Sequence, residues 1–175
     1  ETYLVFGSYL KTKPETVDLG ALTDGKGVRL DGIDAYDYSG VSVSSAGDVD
    51  GDGKDDILIG AREADPNGRN DAGETYLIFG EALDGDGTED INHTSGVVDL
   101  KDVGGDYGFR LIGENGSASG VSVSSAGDID GDGKQELMKQ KQDLNDRKVT
   151  IEGTSYTFSA PWPSTATPAD LNADG

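Results

Sequence analysis

The chain of 175 residues carries 14 Lys and Arg against 34 Asp and Glu, a formal net charge of −20, with 27 Gly and no Cys. That is the length of one ordinary domain; the missing thiols exclude a disulfide scaffold, a zinc-thiolate site and thiol catalysis, and the acidity excludes nucleic-acid partners, whose phosphates need clustered Lys and Arg. Leu, Ile, Val and Phe make up 21% of the chain, just above the roughly 20% at which strongly charged sequences stop folding unaided, so cations are expected to stabilise it.

In chain order, short apolar runs separated by turn chemistry predict strands at Tyr3 to Phe6, Val28 to Leu30, Val41 to Val43, Ile57 to Ile59, Tyr76 to Phe79, Phe109 to Ile112 and Val121 to Val123. Val41 and Val43 alternate with Ser, the pattern of a strand with one buried face. No helical apolar stripe occurs in residues 1–134, so the predicted class is all-β. No apolar run reaches the ~18 residues of a membrane span, and no basic leader followed by an apolar stretch opens the chain. A soluble protein without membrane insertion is expected.

The chain repeats itself. Ser39 to Lys54 recurs as Ser119 to Lys134, displaced by 80 with only Val49 changed, to Ile129. Gly27-Val-Arg-Leu recurs as Gly108-Phe-Arg-Leu at a displacement of 81, and Glu1-Thr-Tyr-Leu-Val-Phe-Gly as Glu74-Thr-Tyr-Leu-Ile-Phe-Gly at 73. The units therefore differ in loop length and share their strands. Several short strands per repeat, with Gly at most junctions, favour propeller blades over a solenoid.

After Lys134 the composition changes: residues 1–134 hold 25 of the 27 Gly, whereas 135–175 hold 3 of the 5 Pro. The expected organisation is 1–136 as repeat units and 137–175 as a divergent segment, with the start of another blade or repeat as one reading of it. Gln135 to Lys141 reads as weakly helical or irregular, Val149 to Ile151 and Tyr156 to Phe158 as two further strands, and the Pro-flanked Trp162 as an extended or turning stretch.

Asp48, Asp50, Asp52 and Asp56 occupy positions 1, 3, 5 and 9 of an acidic loop with Gly53 at position 6; Asp128, Asp130, Asp132 and Glu136 do the same around Gly133. A spacing of two on a tightly turning backbone points the carboxylates inward. The Gly permits the sharp turn that lets a main-chain carbonyl, that of Lys54 or Lys134, join them. Two unit charges ~5 Å apart at an effective dielectric near 20 repel by roughly 3 kcal/mol, so four carboxylates without a counter-ion carry a penalty comparable with a domain's stability. An all-oxygen, highly charged, flexible loop suits Ca²⁺ better than Mg²⁺. An EF-hand is excluded, because position 12 is Ile59 or Lys139 where that motif needs Glu, and flanking helices are missing.

Ser39 to Ala61 with its Asp48-Val-Asp-Gly-Asp-Gly-Lys-Asp-Asp56 core, followed by Gly73-Glu-Thr-Tyr-Leu-Ile-Phe79, resembles an FG-GAP repeat, the blade of integrin α-subunit propellers and of many secreted bacterial proteins. The resemblance covers residues 1–136. It departs where the family's Phe-Gly is Ser39-Gly40 and Ser119-Gly120, and where Gly-Ala-Pro is Gly60-Ala61-Arg62. It implies structural calcium sites in blade hairpins, carried onto Asp48, Asp50, Asp52, Asp56, Asp128, Asp130, Asp132 and Glu136. It also implies an extracellular location, secreted or on the cell surface. Propellers close with about 4–8 blades and residues 1–136 supply about two, so the remaining blades are expected from a longer chain, the favoured reading, or from other subunits.

Weaker signals remain. Asp84 and Asp86 begin a third acidic loop that lacks Gly at position 6, an insertion loop being the default; Asp170, Asn172 and Asp174 begin another of the right spacing. His93 has no second His or Cys to form a zinc site or triad, and strand and loop packing accounts for Tyr36, Tyr38, Tyr107 and Trp162 more cheaply than a sugar platform does. Asn92-His-Thr and Asn115-Gly-Ser match the glycosylation triplet, a pattern frequent by chance. The expected function is a non-enzymatic, calcium-stabilised module for adhesion or for binding a protein or glycan. The alternative is an accessory propeller of a secreted hydrolase or lyase. Halophilic acidity would spread carboxylates evenly, whereas these repeat as loops.

Overall fold

The computed structural model describes residues 1–12, 14–22, 25–84, 96–139, 148–151 and 154–157. The chain is mostly β-sheet with little helix, as the periodicity predicts. The strands are β1 (Thr2–Val5), β2 (Gly27–Asp31), β3 (Ser39–Gly47), β4 (Asp56–Ala61), β5 (Glu74–Ile78), β6 (Val97–Asp99), β7 (Gly108–Ile112), β8 (Val123–Gly127), β9 (Glu136–Lys139), β10 (Lys148–Ile151) and β11 (Thr154–Thr157). A four-residue helix, α1 (Gly7–Leu10), follows β1. Two compact units divide the chain, Glu1–Gln142 and Asp143–Gly175. In the second, β10 and β11 form an antiparallel hairpin with Val149 opposite Tyr156; Phe158 and Trp162 lie outside the described residues.

The centre of the first unit is a four-stranded antiparallel sheet in the order β3-β4-β5-β7. On either side stand parts of the same pattern. The pair β1-β2 has Thr2 opposite Leu30, Tyr3 opposite Arg29 and Leu4 opposite Val28, and β5-β7 has Thr75 opposite Leu111, Tyr76 opposite Arg110 and Leu77 opposite Phe109. The pair β8-β9 sets Val123 against Lys139 and Ser125 against Leu137, as β3-β4 sets Val43 against Ile59 and Ser45 against Ile57. Even the irregularity recurs, between Ser45 and Gly47 in one hairpin and between Ser125 and Gly127 in the other. The displacements of 73, 80 and 81 seen in the sequence are thus register-preserving in space. Residues 1–31 supply the last two strands of a unit, 39–112 a whole one, and 119–139 the first two strands of the next.

Apolar side chains from both faces of the central sheet fill the core. Ile59, Tyr76 and Ile78 pack with Val28, Leu30, Val98 and Leu100, while Leu58 and Leu77 on the other face pack with Ala46 and partly buried Leu111, Val123 and Leu137. Because β4 and β5 are covered on both sides, they read as continuous apolar runs instead of alternating ones. The junction between the central sheet and β8-β9 is a backbone contact. A Cβ on Gly60 would lie 2.0 Å from the Gly120 carbonyl oxygen, Ser42 Oγ donates to that same oxygen at 2.7 Å, and Gly73 and Ser119 form a parallel bridge.

Three expectations change. Residues 136–139 form strand β9, not a helical or irregular segment: the acidic turn before them imposes the β3-β4 register on the returning chain, whatever its own propensity. The strand predicted at Val121 begins at Val123, two residues later. Tyr36 and Tyr38 are 85% and 51% exposed, so packing does not account for them; both have positive φ, and Tyr38 is faced by the Arg62 guanidinium at 4.9 Å. Tyr107, by contrast, packs against the core. The three-residue β6, which pairs parallel with β2, is too short for a periodicity signal.

Candidate metal centre

Each acidic loop joins the two strands of one hairpin, β3 to β4 and β8 to β9. Their backbones follow one path. Gly51 and Gly53 have φ of 85° and 91°, and Gly131 and Gly133 79° and 94°. A Cβ residue at position 6 would be strained in that left-handed conformation.

In the first loop, Asp48 Oδ1 accepts from the Gly51 and Asp52 amides at 2.7 and 3.1 Å and its Oδ2 from Gly53 at 2.9 Å. Asp50 accepts from the Asp52 amide and Asp52 from Lys54. Asp56, at the start of β4, is 0% exposed. Its Oδ2 accepts from Val49 N–H at 2.8 Å and its Oδ1 from Gly80 N–H, just past β5, at 2.9 Å. Burial pushes the Asp56 carboxyl above its ordinary value, the two amide bonds oppose that rise, and the negative charges of Asp50 and Asp52 add to it.

Asp48, Asp50 and Asp56 place one carboxylate oxygen each within 4.8 Å of one another; in the second loop Asp128, Asp130, Asp132 and Glu136 all do so. Asp52 is outside the first cluster and exposed. The second loop repeats the internal bonds, Asp128 accepting from Gly131 and Gly133 and Asp132 from Lys134. Its position-9 residue makes the same bond, Glu136 accepting from Ile129 N–H as Asp56 does from Val49, but is only half-buried. Converging carboxylate oxygens of this kind could hold a metal ion.

Lys54 and Lys134 carry their ammonium groups elsewhere. Lys54 Nζ lies 2.7 Å from Asp84 and 3.4 Å from Glu81, and these carboxylates raise its pKa. Asp84 is therefore the ion-pair partner of the first loop's lysine. Lys134 Nζ donates to the Asp50 carbonyl oxygen at 2.7 Å and Gln135 N–H to that of Asp48 at 3.1 Å, which ties the second loop to the backbone of the first. Asp86, His93, Asp170, Asn172 and Asp174 lie outside the described residues.

The sequence reading missed a buried polar group on the central sheet. Glu74, 2% exposed, accepts from Tyr76 Oη at 2.6 Å and from Arg110 at 2.7 Å. Burial, then the Glu74 carboxylate, raise the Tyr76 pKa. The signal was present as the repeated Glu-Thr-Tyr: Tyr3 Oη likewise donates to Glu1.

Among the described residues no helix is long and apolar enough to cross a membrane. No curated protein matches the chain. Residues 39–78, which span β3, the first acidic loop, β4 and β5, match the family model of the FG-GAP repeat, so the chain carries an FG-GAP repeat, a unit found in the blades of β-propellers.

Proposed function

We propose that this chain is a calcium-binding, propeller-type module of an extracellular protein, serving adhesion or the binding of a protein or glycan rather than catalysis. The observation that carries the reading is the coincidence of an FG-GAP match at residues 39–78 with carboxylates converging to within 4.8 Å in that segment and again 80 residues later. Asp48, Asp50 and Asp56 would hold one ion, Asp128, Asp130, Asp132 and Glu136 the other. When bound, the ion supplies positive charge and no reaction chemistry. The chain's own part is to fix the hairpins, so that loops at the sheet ends keep the shape a partner recognises.

Calorimetric titration of the chelated protein with CaCl₂, with thermal unfolding before and after, tests this. Occupancy at ~1,000 times the dissociation constant contributes about 4 kcal/mol, so a melting temperature more than ~10 °C higher with calcium is expected. An unchanged melting curve and no binding heat would overturn the calcium reading.

A further inference from the structure

The loop before β3 and the loop before β8 follow one backbone path. Displaced by 80, Tyr36 answers to Gly116 and Tyr38 to Ala118; φ is 76° and 54° in the first loop, 71° and 46° in the second. The residue between is buried in both, Asp37 and Ser117. Each turn closes alike, Val41 N–H donating to the Tyr38 carbonyl and Val121 N–H to that of Ala118. Gly116 adopts the left-handed conformation without steric cost, whereas the earlier loop sets an aromatic residue there. Burial does not offset that strain, since Tyr36 is 85% and Tyr38 51% exposed. The outward direction belongs to the loop itself. In the later loop the Gly116 amide donates to the Asn70 carbonyl and the Ala118 amide to that of Asp71, and even with this segment alongside, a Cβ built on Gly116 meets no atom within 4 Å. Folding therefore asks for neither ring, and strain held at exposed aromatics points to a ligand.

We infer that Tyr36, Tyr38 and Arg62 form a stacking platform for a neutral sugar unit of a glycan. The Arg62 guanidinium stands 4.9 Å from the centre of the Tyr38 ring and is held there by Glu63 at 2.7 Å; Glu63 N–H donates to the Asp37 carbonyl, which joins the two loops. Both tyrosines line one hollow with Asp31 and Asp34. A pyranose has an apolar C–H face and a rim of hydroxyls. The exposed ring faces take the first; the Asp34 carboxylate accepts from the second and the Arg62 guanidinium donates to it. The net charge of −20, with two carboxylates at the hollow, opposes sugars that carry acidic groups. Two rings inside a charged rim suit one or two sugar units better than the ~800 Å² that a stable protein interface needs on each side. The platform lies where β3 begins and β4 ends, away from the acidic loop that joins their other ends, so it does not require calcium. It deepens the glycan-binding reading of the proposed module and rests on that reading.

The test applies labelled protein to an array of immobilised neutral glycans, acidic glycans and enzymatically deglycosylated glycoproteins. The neutral glycan bound most strongly is then titrated into ¹⁵N-labelled protein. Binding to neutral glycans is expected, with amide shifts centred on residues 34–38 and 62–63. A Tyr36→Gly, Tyr38→Ala double variant, which takes the residues of the later loop, should lose at least ~10-fold in affinity while its melting temperature stays level or rises; Tyr36→Phe should bind as the parent does. No neutral glycan bound, stronger binding of acidic ones, shifts centred elsewhere or an unchanged affinity in the double variant would overturn the site. Binding to the deglycosylated proteins that the double variant abolishes would assign the surface to a protein partner and overturn it as well. Release of reducing sugar from the bound glycan would leave the site standing and remove the non-catalytic reading; a melting temperature raised by calcium with no glycan bound would do the reverse.

Discussion

The two acidic loops share their sequence from position 1 to position 7 save for one methylene, yet they end in different surroundings. Asp56 is fully buried and bonded both to Val49 of its own loop and to Gly80 beyond the third strand, whereas Glu136 is half-buried and bonded to Ile129 of its own loop. The difference comes from β5. Where a third strand lies alongside, its end supplies a second amide to the ninth residue of the loop; where none lies among the described residues, Glu136 makes the bond from Ile129 N–H that Asp56 also makes from Val49. An acidic cluster of this type is set partly by its own spacing and partly by the neighbouring strand.

The sharpest way to break the comparison is to truncate both position-9 residues. Asp56→Ala strands the Val49 and Gly80 amides in a buried place and should cost about 3 to 4 kcal/mol in chemical denaturation. Glu136→Ala should cost no more than about 1 kcal/mol; equal costs would show that the neighbouring strand is irrelevant. Next in size is Gly60→Ala. Its Cβ meets the Gly120 carbonyl, and the hairpin must shift by an amount worth about 2 to 3 kcal/mol. An unaltered midpoint for Gly60→Ala would contradict that close approach.

Calcium affinity gives a finer test within the first loop. Asp50→Asn should weaken binding about tenfold by titration, while Asp55→Asn, whose side chain is exposed and outside the cluster, should change it less than about twofold. Equal losses would reject the ligand set. The smallest effect concerns Asp37, on the loop before β3. Burial raises its pKa, as do Asp34, Glu74 and Asp65, against a hydrogen bond from the Asp34 amide. The native state therefore favours the protonated acid, so the stability this group contributes is present at low pH and is lost as pH rises through the raised value. Asp37→Asn should accordingly stabilise the protein by about 1 kcal/mol at pH 7 and by nothing measurable near pH 3. A gain independent of pH would assign the effect to packing.

Much of this was legible in the residues. The repeat alone gave the strands, because glycines and acidic turns punctuate them at fixed offsets, and the spacing of Asp48, Asp50 and Asp56 gave the cluster. What escaped had physical causes. Strand β9 is dictated by the hairpin before it and not by Glu-Leu-Met-Lys; β6 is held by β2 across nearly 70 residues of chain; and the burial of Asp56 depends on Gly80, 24 residues away in sequence. The exposure of Tyr36 follows from a left-handed backbone that composition does not announce.

The bond from Gln135 N–H to the Asp48 carbonyl has an observable outcome of its own. An amide on the outer turn of a hairpin ordinarily trades its proton for deuterium almost at once, but this one must wait for the seam between successive repeats to part. Its exchange rate is therefore a clock for that opening, readable at a single site.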